Sequence, residues 1–171
     1  MTKETKMRKL LVLLPCTNKK PYTEAPTWKF VLKHLSPYLE HVDIAAVDCI
    51  TNPRTGLPFG IVSRRSQRLT VGKDERPDPE KLESLVKEIR RQLRRRSYRY
   101  DRIVSYLNVK SYWKALDEVR DEFEIKMLPK IYAKNDVWNS KKLHMGPIGM
   151  FRTEIGDLVT EVKRHVNGTA L

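Results

Sequence analysis

Cysteine is scarce in this 171-residue chain. Cys16 and Cys49 are its only two, too few for a disulfide framework, and neither stands at metal-ligand spacing from another Cys or His. Long apolar runs are missing as well. No stretch approaches the roughly eighteen residues that span a bilayer, and the short run behind the polar, basic segment Met1–Arg8 serves better as a strand than as a signal-peptide core. The expectation is a cytoplasmic protein with no membrane partner. Neither a Gly-x4-Gly-Lys-Ser/Thr loop nor a dinucleotide fingerprint follows the first strand, which argues against nucleotide-fuelled chemistry and implies no cofactor. Acidic residues are in deficit, 21 against 34 Lys and Arg, for a net charge of +13. A folded surface with that excess carries a positive field that attracts polyphosphates, so nucleic acid is the leading partner class.

At this length, with 40% hydrophobic residues, one core can form, and the expected organisation is a single α/β domain over 1–171 with residues 1–8 as a mobile basic end. Apolar runs at Lys9–Leu14, Val42–Val47, Arg102–Leu107 and Glu124–Leu128 alternate with helical patterns, the signature of a layered α/β fold with a mostly parallel sheet. A first helix is expected from near Thr27, behind Pro26, with Trp28, Val31, Leu32 and Leu35 on one face and Pro37 ending it. Asp78 as N-cap and Pro79 at the first helical position open a second, whose apolar face carries Leu82, Leu85, Val86, Ile89 and Leu93. A third helix carries Tyr112, Trp113, Leu116 and Val119. A last one carries Ile155, Leu158, Val159, Val162 and Val166 and stops at Asn167-Gly168. Between Cys49 and Pro79, and again from Leu128 to Phe151, turn formers mixed with basic residues predict long surface loops.

The run Leu10–Leu14 ends in Pro15-Cys16-Thr17-Asn18-Lys19-Lys20-Pro21-Tyr22. A buried parallel strand followed by a stiff basic loop is where open α/β sheets keep ligand sites. Cys16 there is either a nucleophile, its thiolate favoured by Lys19 or Lys20 and by the start of the first helix, or a small apolar residue that packs. Cys49, with no adjacent cation run, is the more structural of the two thiols. The second helix presents Arg90, Arg91, Arg94 and Arg95, with Arg96 and Arg99 behind them and Tyr98 and Tyr100 interleaved. Such a face is either a phosphate-binding surface or a solvated stripe paired with Glu83, Glu88 and Asp101. Gly60-Ile61-Val62-Ser63-Arg64-Arg65 adds amides and guanidiniums suited to a phosphate or a base edge. His144 sits in a turn-rich stretch as a surface residue.

Pro15-Cys16-Thr17-x-x-Lys20-Pro21-Tyr22 resembles the Pro-Cys-Ser-x-x-Lys-Pro-Tyr signature of the central domain of archaeosine synthases, archaeal tRNA-modifying proteins. Gly60-Ile61-Val62-Ser63-Arg64 is similar to their Gly-Ile-Val-Pro-Arg stretch, in the same order along the chain. The resemblance implies a Rossmann-like three-layer α/β sandwich, related in shape to uracil-DNA glycosylases, that handles the nitrile of a 7-deazaguanine base (preQ0) in tRNA. It implies Cys16 and Lys20 as catalytic residues. Thr17, Asn18, Pro21, Tyr22, Gly60, Ser63 and Arg64 become substrate-binding candidates, and Arg90, Arg91, Arg94, Arg95 and Arg99 the nucleic-acid face. A small amine donor and a partner enzyme of the archaeosine pathway follow from the same resemblance. The chain has Ala25 and Trp28 where the family signature continues with Ser and His. Two alternatives stand beside this reading: a non-catalytic RNA- or tRNA-binding module of the same fold, and base excision of the uracil-DNA-glycosylase kind.

Overall fold

The computed structural model describes residues 9–15, 24–52, 54–63, 79–107, 110–133 and 154–169. Within them five strands form one sheet in the order β3-β2-β1-β4-β5. The strands are β1 (Lys9–Pro15), β2 (Val42–Thr51), β3 (Pro58–Ser63), β4 (Tyr100–Tyr106) and β5 (Ile125–Leu128). β1 pairs in parallel with β2 and with β4, and β4 in parallel with β5, whereas β3 is antiparallel to β2. Four α-helices cover the sheet: α1 (Pro26–Leu35), α2 (Pro79–Arg96), α3 (Lys110–Phe123) and α4 (Ile155–Thr169). The expected α/β sandwich with a mostly parallel sheet is what forms.

Side-chain alternation along the strands makes two cores. Leu11 and Leu13 of β1, Ala45 and Val47 of β2 and Ile103 of β4 face α2 and α3, where Leu85, Ile89, Leu93, Leu116 and Val119 meet them. Leu10, Val12 and Leu14, with Ile44, Ala46 and Val104, face α1 and α4 through Trp28, Val31, Leu35, Leu158 and Val162. β1 is therefore buried on both sides. Each of its leucines contributes about 1.5–3 kcal/mol by leaving water. Pro79 begins α2, as its fixed φ suits a first helical turn; the expected cap, Asp78, lies outside the described residues.

The stretch expected to be a structureless connection contains β3. A tight hairpin joins it to β2: the Asn52 carbonyl accepts from Thr55 N at 3.2 Å and Gly56 N at 2.9 Å, while Asn52 Oδ1 takes the Arg54 N–H at 3.0 Å. Gly56 supplies the left-handed φ of 68° that closes the turn. Pairing with β3 also lengthens β2 to Thr51, so Cys49 lies within the strand and not after it. Pro58 and Gly60 hide this strand from a reading of periodicity, since both residues weaken strands in general. Of the second expected loop, Leu128 closes β5, a cis bond joins it to Pro129, and Lys130–Ala133 form one 3-10 turn. Residues 134–153, with His144, lie outside the described set.

Gly60 has φ 71°, and a methyl group added to it would meet Gln92 at 3.0 Å and the Glu88 side chain at 3.1 Å. That close approach lets Gln92 bind the β3 backbone on both sides of the glycine. Its Oε1 accepts from Ile61 N at 2.7 Å and its Nε2 donates to Phe59 O at 2.8 Å. Glu88, buried, accepts from Gln92 Nε2 at 3.0 Å and is ion-paired with Arg91. The Arg91 guanidinium holds the Glu88 carboxyl below its ordinary value of 4.5, against the opposing effect of burial, and Gln92 adds to the lowering.

Two outcomes follow for this network. Gly60→Ala, strained by its φ and crowded by Gln92, is expected to lose about 1–3 kcal/mol in urea unfolding. Glu88→Gln removes a carboxylate whose folded-state pKa is depressed, so the stability gap between wild type and variant is full above the unfolded value of 4.5. It closes as pH falls through the lower folded value. Urea midpoints taken at several pH values between neutral and acidic check the sign; a gap that widens in acid would contradict it.

Candidate functional site

A chain that leaves β1 through α1 to β2, and leaves β4 through α3 to β5, departs in opposite directions and over opposite faces of the sheet. That divergence puts the topological switch point between the carboxyl ends of β1 and β4, where open α/β sheets form their ligand crevice. Pro15 is the last residue of β1, level with Val47 of β2, and Cys16 is the next residue in the chain. Cys16, Thr17, Asn18, Lys20, Pro21 and Tyr22 themselves lie outside the described residues, as does Arg64.

What fixes this end of β1 is visible. The indole of Trp28, fully buried in α1, donates from Nε1 to the Pro15 carbonyl at 2.8 Å. Ala25, also buried, carries the carbonyl that takes Lys29 N at 2.9 Å and starts the helix. The two positions at which the archaeosine-synthase signature has Ser and His thus serve here to seat α1 against the strand end.

The carboxyl edge holds polar groups that the sequence reading passed over. Asp48 of β2 is 0% exposed, one position beyond the Val47–Pro15 pair. A carboxylate closing an otherwise apolar run, Ile44-Ala45-Ala46-Val47-Asp48, is the signal that could have marked it. Tyr106, at the end of β4, is fully buried. Burial first, then the neighbouring Tyr132, Glu154 and Asp157, pushes its phenol far above the ordinary tyrosine range, so it stays a neutral donor. At the start of α4, burial and a hydrogen bond shared with Asp157 hold the Glu154 carboxyl above its ordinary range, with Lys130 pulling the other way. This edge therefore offers a buried carboxyl, a neutral phenol and a hydrogen-bonded carboxyl pair. Among the described residues no group of His, Cys, Asp and Glu is arranged to hold a metal ion.

Gly60 and Ser63 lie on one strand that runs away from this edge. Gly60 is level with Asp48, whereas the Ser63 backbone is level with Ala45 and, across β2, with Leu13. The antiparallel direction of β3 carries the motif from the carboxyl edge back into the sheet, a separation of about 10 Å over three residues.

Geometry also sorts the arginines. Arg90 and Arg94 both bind Glu122 of α3, each at 3.0 Å, and Arg91 is held by Glu88. Arg95, Arg96 and Arg99 have no carboxylate within ion-pair reach among the described residues. Arg99 Nε donates to the Tyr98 hydroxyl at 3.3 Å, with its guanidinium 5.6 Å from the Tyr98 ring centre. Of the expected nucleic-acid face, Arg90, Arg91 and Arg94 are paired with carboxylates, and Arg95 and Arg99 have no carboxylate partner among the described residues. On the other side of the sheet a second basic group, Arg102 and Arg164, is bound to the buried Glu161 at 3.1 and 3.0 Å.

Among the described residues no helix is long and apolar enough to cross a membrane. No protein-family model and no curated protein matches the chain. Among solved structures, the crystal structure of AF0587, a protein of unknown function, is similar with a TM-score of 0.51 at 18% identity, over 86% of this chain and 44% of that one. This chain therefore spans less than half the length of that protein. A likeness at this identity shows the α/β sandwich and nothing finer.

Proposed function

We propose that the chain is a cytoplasmic tRNA-modifying protein of the archaeosine-synthase type, binding a 7-deazaguanine nitrile at the carboxyl edge of its sheet and activating it through Cys16. One observation carries the reading: the strand that precedes the Pro-Cys loop ends at the topological switch point, with its last carbonyl pinned by Trp28 Nε1 at 2.8 Å. In the proposed chemistry the Cys16 thiolate adds to the nitrile carbon, and the nitrogen takes a proton to give a thioimidate. A small amine then attacks the same carbon, the C–S bond breaks and the thiolate returns. Lys20 stabilises the thiolate form. The amidine-type product passes to a partner enzyme.

A second reading, a tRNA-binding module without catalysis, draws its support from Trp28. Where the family has a histidine able to move protons, this chain has an indole committed to a backbone carbonyl.

Incubation of the full chain with preQ0, and separately with preQ0-bearing tRNA, followed by intact-mass measurement decides between them. The catalytic reading expects one adduct, of the mass of the base with free preQ0 and of the whole tRNA with preQ0-bearing tRNA, absent in Cys16→Ala while tRNA affinity is kept. No adduct with either substrate would leave the binding module. Trp28→Phe strands the Pro15 carbonyl in an apolar setting and is expected to lose about 1–3 kcal/mol in urea unfolding. Adduct formation by that variant should slow while tRNA affinity holds.

A further inference from the structure

A second cleft opens at the amino edge of the sheet, where β1, β2 and β4 begin. It has a volume of about 760 Å³, and its polar lining is Lys9, Asp43, Arg95, Arg96, Arg99 and Tyr100. The seven residues of β1 separate it from Pro15 by about 20 Å. It is a separate place from the carboxyl edge.

Its charge is unbalanced. Among the described residues Asp43 is the one carboxylate in the lining, and it is already shared between Lys9 Nζ at 3.5 Å and the Tyr100 hydroxyl at 3.1 Å. Arg95, Arg96 and Arg99 converge on the same cleft without a carboxylate of their own among the described residues. The negative end of the α2 dipole offsets part of their mutual repulsion, but it supplies no counter-charge inside the cleft. Phosphate oxygens match the guanidinium fork in charge and shape. Beside the cleft, Tyr98 is 64% exposed and flanked by the Arg99 guanidinium. An exposed aromatic ring next to a run of unpaired guanidiniums is the arrangement that stacks an unpaired base while the backbone follows the charge.

We propose that the amino-edge cleft binds a single-stranded nucleic-acid segment, its phosphates held by Arg95, Arg96 and Arg99 and one base stacked on Tyr98. The site does not depend on the chemistry proposed for Cys16, and binding here should survive Cys16→Ala.

The test uses the full chain and a fluorescein-labelled single-stranded RNA 15-mer, titrated at several salt concentrations. For the Arg95→Gln/Arg96→Gln/Arg99→Gln variant the slope of log affinity against log salt should become shallower by about 2. Tyr98→Ala should weaken binding by roughly fivefold to a hundredfold with the slope unchanged. Because all of these side chains are at the surface, thermal unfolding should show the variants folded. As a check that needs no variant, phenylglyoxal labelling of the wild-type chain should show Arg95, Arg96 and Arg99 protected by the RNA. An equal or larger slope change in Arg90→Gln/Arg94→Gln, or absence of protection, would overturn the proposal. So would full displacement of the RNA by equimolar tripolyphosphate together with an indifferent Tyr98→Ala, which would instead mark a site for small polyphosphates.

Discussion

A strand whose side chains from Leu10 to Leu14 are all apolar cannot present either face to water without exposing about half of them, so it settles where both faces are covered. That single demand places β1 at the centre of the sheet, with α2 and α3 over one side and α1 and α4 over the other. The rest of the architecture is arranged around it. β2 and β4 take its two edges, the chain departs from those edges in opposite directions, and the divergence creates the crevice at the carboxyl end. Trp28 turns this general arrangement into a specific one by tying the end of the central strand to the helix that follows. The core and the proposed site thus share one interaction, at the end of a strand buried on both faces.

Much of this architecture is legible from residue patterns because burial repeats. β1, β4 and β5 follow directly from their apolar runs, and α1 to α4 from apolar residues at helical spacing. What escapes is β3, whose stability comes from β2 on one side and, on the other, from a glutamine of α2 some thirty residues away in sequence. Glycine within a strand normally signals weakness. Here Gly60 is present because a larger side chain would displace Gln92. The end of β2 escapes with it, since the strand that extends it is the one that Pro58 and Gly60 hide.

The charged residues divide along similar lines. Six arginines between Arg90 and Arg99 look alike in sequence, yet Glu122 comes from another helix and Glu88 from the buried side of the same one. Which guanidiniums lack a carboxylate partner is a tertiary property, and among the described residues they turn out to be Arg95 and Arg96 at the end of α2 and Arg99 just after it. Asp48 and Tyr106 were hidden differently: each closes an apolar run that dominates the pattern, so its polar group reads as a boundary. The positions of the Pro-Cys loop residues lie outside the described structure, and the assignment of that edge to a thiol rests on the strand that leads into it.

Among the described residues β3 is the outermost strand on its side, and an outermost strand offers unsatisfied amides and carbonyls that invite another chain to join the sheet. Gln92 occupies the donor of Ile61 and the acceptor of Phe59 with a single primary amide, much as a short sixth strand would. Self-association through that margin is blocked at the point where the strand is least bulky. The same amide also gauges alignment: a slip of one residue would bring a side chain under it in place of Gly60 and turn the apolar residues of β3 to the wrong face. One side chain of α2 therefore guards the sheet against both misregistration and runaway extension.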